Sequence, residues 1–171
     1  DFTSRDVLLF LRGERGNFES MVVRGREAPA RAAHGGNRGG FFEIPVPRHE
    51  LFLKYPYRHS MIRSSKFAST IIDYGCPFPC SFCIMNALGY KARKPANVMD
   101  ELRRLRQLGV REIFFATQTF GANRQAAIEI CEAMIAEKLK FGWVCFSRVD
   151  VATPDFLELM KKAGCHSIIF G

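Results

Sequence analysis

The chain has 171 residues, of which 47% are hydrophobic and 25% charged, and it carries a net charge of +8 at pH 7. This length and composition are typical of an ordinary globular protein with one sizeable core and room for an appendage. No apolar run is long enough to span a bilayer and the polar start is not a signal peptide, so we expect neither a membrane partner nor secretion. The chain does not begin with Met, which indicates a fragment of a longer protein.

Cysteine usage and charge constrain the setting and the partners. The six cysteines follow the spacing of β/α elements and do not resemble the disulfide pattern of a small secreted fold, which favours a reducing, cytoplasmic location. The basic charge would suit nucleic acid or another anionic partner. However, many of the arginines are spread through a glycine-rich region without aromatic residues between them, and a solvated basic segment is the better interpretation; they are Arg12, Arg15, Arg24, Arg26, Arg31 and Arg38.

Three different segments precede the main pattern. Residues 1–24 contain the apolar run Val7–Leu11 followed by Arg-Gly-Glu-Arg, which predicts a strand running into a turn. Residues 25–40 include four glycines in six positions and are predicted to be a linker. Residues 41–65 are rich in proline and aromatic side chains, so we expect an extended lead-in that lies against a folded surface.

Strand and helix patterns alternate from residue 66 to the end of the chain. We predict strands over 67–74, 112–116, 143–147 and 167–170, separated by helices over 95–108, 123–138 and 153–163. Pro95 suits the first turn of the first helix, and Asn97 could cap it. The second helix should turn its apolar positions inward, namely Ile128, Cys131, Met134 and Ile135. This alternation predicts an α/β fold that starts a parallel barrel.

A cysteine motif directly follows the first predicted strand. Cys76-Pro-Phe-Pro-Cys80-Ser-Phe-Cys83 has C-x3-C-x2-C spacing, and three soft thiolates on one loop suit iron–sulfur or zinc chemistry. A structural zinc site normally uses four protein ligands in two pairs, and no second pair with such spacing exists here. Three ligands would leave one metal position open. Zinc completed by Cys165 or His166 and three incidental cysteines remain as alternatives.

This motif, with an aromatic residue before its last cysteine, resembles that of the radical S-adenosylmethionine (SAM) superfamily. The resemblance implies that Cys76, Cys80 and Cys83 hold a [4Fe–4S] cluster whose fourth iron binds SAM. One electron then cleaves SAM to methionine and a 5′-deoxyadenosyl radical, so an electron donor such as flavodoxin or ferredoxin is implied. The resemblance implies no catalytic residue beyond the cluster ligands. It also implies a TIM-like barrel of six parallel strands, of which this chain has about four strand–helix units.

The same resemblance implies three contacts to SAM at the ends of the predicted strands. Phe82 would contact the adenine, although it could equally be a core aromatic. Gln118 would accept a hydrogen bond from the amino group, at a turn where Thr117 stands in place of a frequent acid. Arg148 matches a Thr/Ser-Arg-x-Asp pattern and would bind the carboxylate by a forked contact, with a structural link to Asp150 as the alternative.

The basic residues between the cysteine loop and the first helix are a further feature of the resemblance. They would lie near the cluster or form a solvated basic loop, and they are Lys91, Arg93 and Lys94.

The Pro-Phe-Pro spacer, the stretch Gln118–Arg124 and the stretch Arg148–Asp150 are most similar to the cobalamin-associated subgroup. That subgroup implies cobalamin as a further cofactor, methyl transfer or a radical rearrangement as the reaction, and residues 1–24 as the remnant of a preceding domain. A tRNA methylthiotransferase-like enzyme is an alternative within the superfamily. A non-catalytic iron–sulfur or zinc module is the alternative outside it, and the substrate is not specified by the sequence.

Overall fold

The computed structural model describes residues 2–14 and 38–171, in two units that divide at Gly35 and Gly36. The first unit contains helix α1, Phe2–Leu11. The second unit contains two short 3-10 helices, His49–Leu51 and Ile84–Leu88. Its remaining elements are β1 Arg38–Phe42, β2 Phe67–Thr70, β3 Asp73–Gly75, β4 Tyr90–Arg93, α2 Pro95–Gln107, β5 Glu112–Phe115, α3 Arg124–Ala136, β6 Gly142–Ser147, α4 Pro154–Lys162 and β7 Cys165–Phe170.

Helix α1 contradicts the strand predicted over Val7–Leu11. In that run only Val7 is β-branched, whereas the leucines are strong helix formers, and a short apolar run cannot be assigned to helix or strand by periodicity alone. Residues 15–37 lie outside the described residues, and with them most of the predicted linker over 25–40. The last three positions of that linker belong to β1, so the regular structure of the second unit starts earlier than predicted.

The main sheet is parallel and has the order β2-β5-β6-β7, so its strand order follows the chain order. Phe67 pairs with Glu112, Glu112 with Gly142, and Trp143 with Cys165. Helix α2 precedes β5, α3 connects β5 to β6, and α4 connects β6 to β7, since parallel neighbours need such crossover connections. The predicted α/β fold with the first strands of a parallel barrel is confirmed.

A second, smaller sheet of order β1-β4-β3 lies at the start of the cysteine loop. Strand β4 is parallel to β1 and antiparallel to β3, and it was not predicted. The strand predicted over 67–74 is therefore wrong as a single element, because it divides into β2 and β3. The break is fixed by Arg93, whose backbone N–H donates to Ile72 O at 2.8 Å and whose side chain donates to Ile71 O at 3.2 Å.

The core lies between the main sheet and its helices. Its centre is aromatic, since the ring centroids of Phe115 and Phe120 both lie within 5.1 Å of that of Trp143. The indole N–H of Trp143 donates to Ala163 O at 2.9 Å, so the one polar atom of this ring is satisfied inside the core. The carboxyl ends of the strands are thereby held on a rigid base.

The predicted helices are confirmed in position. In α2, the apolar residues Val98, Leu102 and Leu105 are fully buried. In α3, the side chain of Asn123 accepts a hydrogen bond from Ala126 N at 3.0 Å and caps the helix as expected. None of the described helices combines the length and apolar character that a bilayer-spanning segment needs.

Two details of the helix predictions are wrong. Asn97 does not cap α2, because its side-chain amide is bonded to the backbone of Ile44. Its Oδ1 accepts from Ile44 N at 3.0 Å, and its Nδ2 donates to Ile44 O at 3.0 Å. Ile135 is 39% exposed, whereas Ile130, which was not predicted to face inward, is buried. The buried face of α3 includes Ala127 and Ile130 together with Cys131 and Met134, so the last two of these inward positions were predicted correctly.

Candidate active site

Three polar or thiol-bearing segments meet at the carboxyl edge of the main sheet. The cysteine loop leaves from the end of β3, a turn with the buried Thr117 and the exposed Gln118 follows β5, and Arg148 follows β6. Sites in parallel α/β folds gather at this edge, because all the strands deliver their following loops there.

The cysteine loop is a closed excursion of the chain. It runs from Cys76 to Gly89, and the pairing of Gly75 with Tyr90 brings its two ends together. Gly75 has a φ of 74°, and a Cβ at this position would lie 1.8 Å from Gly89 O, so the approach of the two ends requires glycine. Within the loop, Cys83 N donates to Cys80 O at 3.1 Å.

All six cysteines are free thiols; of the three in the loop, Cys76 is buried and Cys80 and Cys83 are half-buried. In residues 2–14 and 38–171 no group of three Cys, His, Asp or Glu side chains is arranged to hold a metal ion, so the expected convergence of three sulfurs is not part of this structure. The donor set itself fits an iron–sulfur cluster, since it supplies three soft ligands on one loop.

The zinc alternative loses both of its suggested fourth ligands. Cys165 begins β7, and its thiol donates to Ser167 O at 3.6 Å. His166 lies next to it, and its Nε2 is 3.2 Å from Glu112 Oε2 at the start of β5. Both residues therefore belong to the amino edge of the sheet, opposite to the cysteine loop.

Arg148 contacts the cysteine loop directly. Its Nη1 donates to Cys80 Sγ at 3.3 Å, and its guanidinium carbon lies 4.4 Å from the centroid of the Phe78 ring. Its Nε and Nη2 donate to the two carboxylate oxygens of Asp150 at 2.9 and 2.8 Å, so the predicted link between these residues is present. The hydrogen bond from Arg148 lowers the pKa of Asp150. Arg148 thus joins the end of β6 to the middle of the loop.

Asp73 is a site residue that sequence reasoning missed. The Thr117 hydroxyl is 2.6 Å from each Asp73 carboxylate oxygen, and both residues are buried. Burial raises the pKa of Asp73 to about 7, and the hydrogen bond from Thr117 opposes that rise. The carboxyl group faces a small cavity that is also lined by Tyr90 and Asn123. The available signal was an acid inside the apolar run Ser69-Thr-Ile-Ile-Asp.

Phe82 and Gln118 both lie on the surface of the site. Phe82 is 91% exposed, which rules out the alternative of a core aromatic. Gln118 is exposed at the turn after β5, next to the buried Thr117. Their contacts to SAM stay predictions.

Among the basic residues near the loop, Arg93 differs from both expectations. Arg93 is fully buried and forms an ion pair with Glu101, which also accepts hydrogen bonds from His49 at 2.8 Å and Thr70 at 3.0 Å. Burial raises the pKa of Glu101, but the hydrogen bonds from His49 and Arg93 outweigh it and leave the pKa lowered. Lys94 pairs with Glu43 at 3.1 Å. Arg93 is therefore a structural cation and belongs to no solvated loop.

Comparison with known proteins adds an independent finding. The profile of the Radical SAM superfamily matches residues 70–171. An uncharacterized methyltransferase of Pyrococcus horikoshii, PH0819, is 31% identical over 133 residues, which cover 75% of this chain and 28% of that protein. The anaerobic magnesium-protoporphyrin IX monomethyl ester cyclase of Cereibacter sphaeroides is 38% identical over 104 residues, covering 57% of this chain and 17% of the cyclase.

A solved structure shares the fold. The cobalamin-dependent SAM radical enzyme OxsB, with aqua-cobalamin and SAM bound, aligns with a TM-score of 0.66 and 20% identity over 99% of this chain and 26% of its own. The chain therefore spans between about a sixth and about a quarter of the length of these proteins.

Proposed function

The chain belongs to the radical SAM superfamily, and we propose that its cysteine loop binds a [4Fe–4S] cluster with which SAM is cleaved reductively. The observation that carries this proposal is the contact of Arg148 with Cys80 and Phe78. A residue expected to bind SAM and a residue expected to bind iron, 68 positions apart, meet at the carboxyl edge of the sheet.

Each side chain has a role that follows from its chemistry. Cys76, Cys80 and Cys83 would each ligate one iron as thiolates and leave a fourth iron open to SAM. When bound, the cluster supplies the electron that breaks the sulfonium bond of SAM to give methionine and a 5′-deoxyadenosyl radical. The guanidinium of Arg148 would bind the SAM carboxylate with N–H groups in a planar fork, which lysine lacks.

Two further contacts would orient SAM in the site. The Gln118 amide oxygen would accept a hydrogen bond from the SAM ammonium, without the charge that an acid at Thr117 would have added. The exposed ring of Phe82 offers an apolar face to the adenine. An electron donor such as flavodoxin or ferredoxin would supply the electron, and the six free thiols support a reducing, cytoplasmic setting.

We further propose a cobalamin-associated reaction of the methyl-transfer or rearrangement type. A methyltransferase and a cyclase among the relatives, and a cobalamin-dependent enzyme among the similar structures, support this class and leave the substrate open.

Anaerobic reconstitution with iron and sulfide, followed by electron paramagnetic resonance of the reduced protein, tests the cluster. We expect a cluster signal that changes when SAM is added, because SAM binds the open iron. Cys80→Ala should lose the signal and most of the iron, whereas the control Cys165→Ala should keep both, since Cys165 lies at the opposite edge of the sheet. A signal that ignores SAM would support a non-catalytic iron–sulfur module, and tightly held zinc without a cluster would overturn the proposal.

A further inference from the structure

The spacer between the first two cysteines of the loop has few means of its own to hold a conformation. It reads Pro77-Phe78-Pro79, and neither proline has a backbone N–H to donate. The prolines restrict φ and donate no hydrogen bond, and the Pro77 carbonyl accepts a long one from Asn86 Nδ2 at 3.4 Å. Besides this bond and the one from Cys83 N to Cys80 O, the position of Cys80 therefore depends on side-chain contacts made by the spacer and by Cys80 itself.

Arg148 supplies both of those contacts at once. One face of its guanidinium lies over the Phe78 ring at 4.4 Å from the centroid, and Nη1 donates to Cys80 Sγ at 3.3 Å. A second edge of the guanidinium, formed by Nε and Nη2, donates two hydrogen bonds to Asp150. A planar cation can be held on its face and along its edges together, whereas an ammonium group cannot.

We propose that Phe78 is a positioning residue, whose ring seats Arg148 so that the guanidinium holds Cys80 and orders the loop for its metal. The inference rests on the proposed function for the identity of that metal, but the seat itself consists of contacts within the chain. Phe78 would act on the metal site through Arg148 and Cys80.

The loop contains its own control in Phe82. This second phenylalanine also stands next to a cysteine, but it is 91% exposed, and within residues 38–171 it has no cation or ring contact like that of Phe78. A substitution at Phe82 removes the same ring from the same loop and leaves the seat intact.

The test is amide hydrogen exchange of the metal-free 171-residue chain, read on peptides that cover residues 76–83. Phe78→Leu should speed exchange of this segment about two- to fivefold, the factor expected for loss of one cation–π contact at a partly exposed site. Phe78→Tyr, which keeps the ring face, should restore slow exchange, and Phe82→Leu should match the wild type. Exchange in α2 and α3 should stay unchanged in every variant and shows that each one folds.

A second measurement separates positioning from simple loop stability. In the reconstituted chain, Phe78→Leu should shift the cluster reduction potential to a more negative value, because the N–H donor from Arg148 no longer faces the Cys80 sulfur. Phe78→Tyr should return the potential towards that of the wild type. Equal exchange in Phe78→Leu and Phe82→Leu would overturn the inference while leaving the proposed function intact. Faster exchange in Phe78→Leu, in a chain that takes up no iron, would support the seat and overturn the proposed function.

Discussion

Asp73 is a buried carboxyl group whose charge the fold compensates only in part. Its pKa rises from 3.8 to about 7 because burial disfavours the anion, and the Thr117 hydroxyl is shared between both of its oxygens. Below pH 4 both the folded and the unfolded states are protonated. As pH rises from about 4 to 7, only the unfolded state ionises, so the free energy of unfolding falls by about 4 kcal/mol across this window and stays lower above it.

Replacing Asp73 with Asn tests this balance. Asn keeps an oxygen that accepts the Thr117 hydrogen bond and removes the ionisation. We expect Asp73→Asn to raise the free energy of unfolding of the metal-free chain at pH 8 by a few kcal/mol and to change it little at pH 4. Urea denaturation at the two pH values measures the difference. The control is Asp100→Asn, on an exposed position of α2, and a similar pH dependence in both variants would contradict the assignment.

Arg148→Ala separates SAM binding from metal binding. The variant loses the fork offered to the SAM carboxylate, so we expect SAM affinity to fall at least tenfold while iron content stays within about twofold of the wild type. Equilibrium binding of SAM to the reconstituted chain and an iron assay give the two numbers. Unchanged affinity would remove Arg148 from the list of SAM contacts.

At the scale of single residues, the sequence predicts roles that depend on spacing or on a neighbouring motif, and these roles stay predictions. The three cysteines and Arg148 are of this kind, and the structure brings Arg148 to Cys80. Asp73 could not be found in this way, because the burial of one acid depends on elements that lie far from it in sequence. Likewise, the sequence shows two phenylalanines in the loop but does not show which of them faces Arg148.

At the scale of elements, the ion pair between Arg93 and Glu101 joins four parts of the second unit. Arg93 lies in β4 and Glu101 in α2, while His49 from the lead-in and Thr70 from β2 bond to the same carboxylate. Arg93 also donates to Asn97 Oδ1 at 2.7 Å and to Ile71 O at 3.2 Å. All of these polar groups are satisfied, which makes the loss of any one of them expensive.

Glu101→Leu should destabilise the chain by about 3–5 kcal/mol, because it leaves the Arg93 guanidinium buried without a counter-charge. Arg103→Ala serves as the control on the same helix. That side chain is about half exposed and pairs with Glu137 at the surface, so its loss should lower the free energy of unfolding by less than about 1 kcal/mol. Urea unfolding of both variants measures the contrast, and equal losses would show that the buried pair has no special weight.

Elements that depend on local sequence could be predicted, whereas the element boundary that depends on Arg93 could not. Helix α2 follows from its own apolar spacing and from Gly109, which ends it with a φ of 77°. The division of the first strand into β2 and β3 does not follow from residues 67–74, whose apolar run is nearly continuous. It follows from Arg93, about twenty positions later, which bonds to the backbone at the break.

At the scale of the whole second unit, the main sheet has an open side in the described residues. Strand β7 pairs only with β6, so its other side presents unpaired backbone groups, and Phe170 at its end is exposed. Such an edge is a template for pairing with another chain. The domain boundaries over 1–24 and 25–40 stay predictions, and the family match, over residues 70–171, contains β5, β6 and β7 of this sheet.

We predict that two copies of the chain pair through this edge and that Ile169→Lys weakens this association. A lysine on an edge strand opposes pairing of two edges by charge and by desolvation, and we expect the association constant to fall about tenfold. Light scattering across a range of protein concentrations measures this constant. Lys161→Ala, on an exposed position of α4, should leave it unchanged. Association that is indifferent to Ile169→Lys would show that another surface is responsible.

The sequential order β2-β5-β6-β7 also has a consequence for folding of this unit during its synthesis on the ribosome. Within this sheet, each strand after β2 pairs with the sheet strand that was synthesised before it, at separations of 45, 30 and 22 residues for the first register pairs. A growing polypeptide can thus add one strand and one covering helix at a time to a sheet that already exists, without waiting for distant sequence. The cysteine loop emerges before β6, so its three thiols leave the exit tunnel earlier than the Arg148 side chain, which later contacts the loop at Cys80.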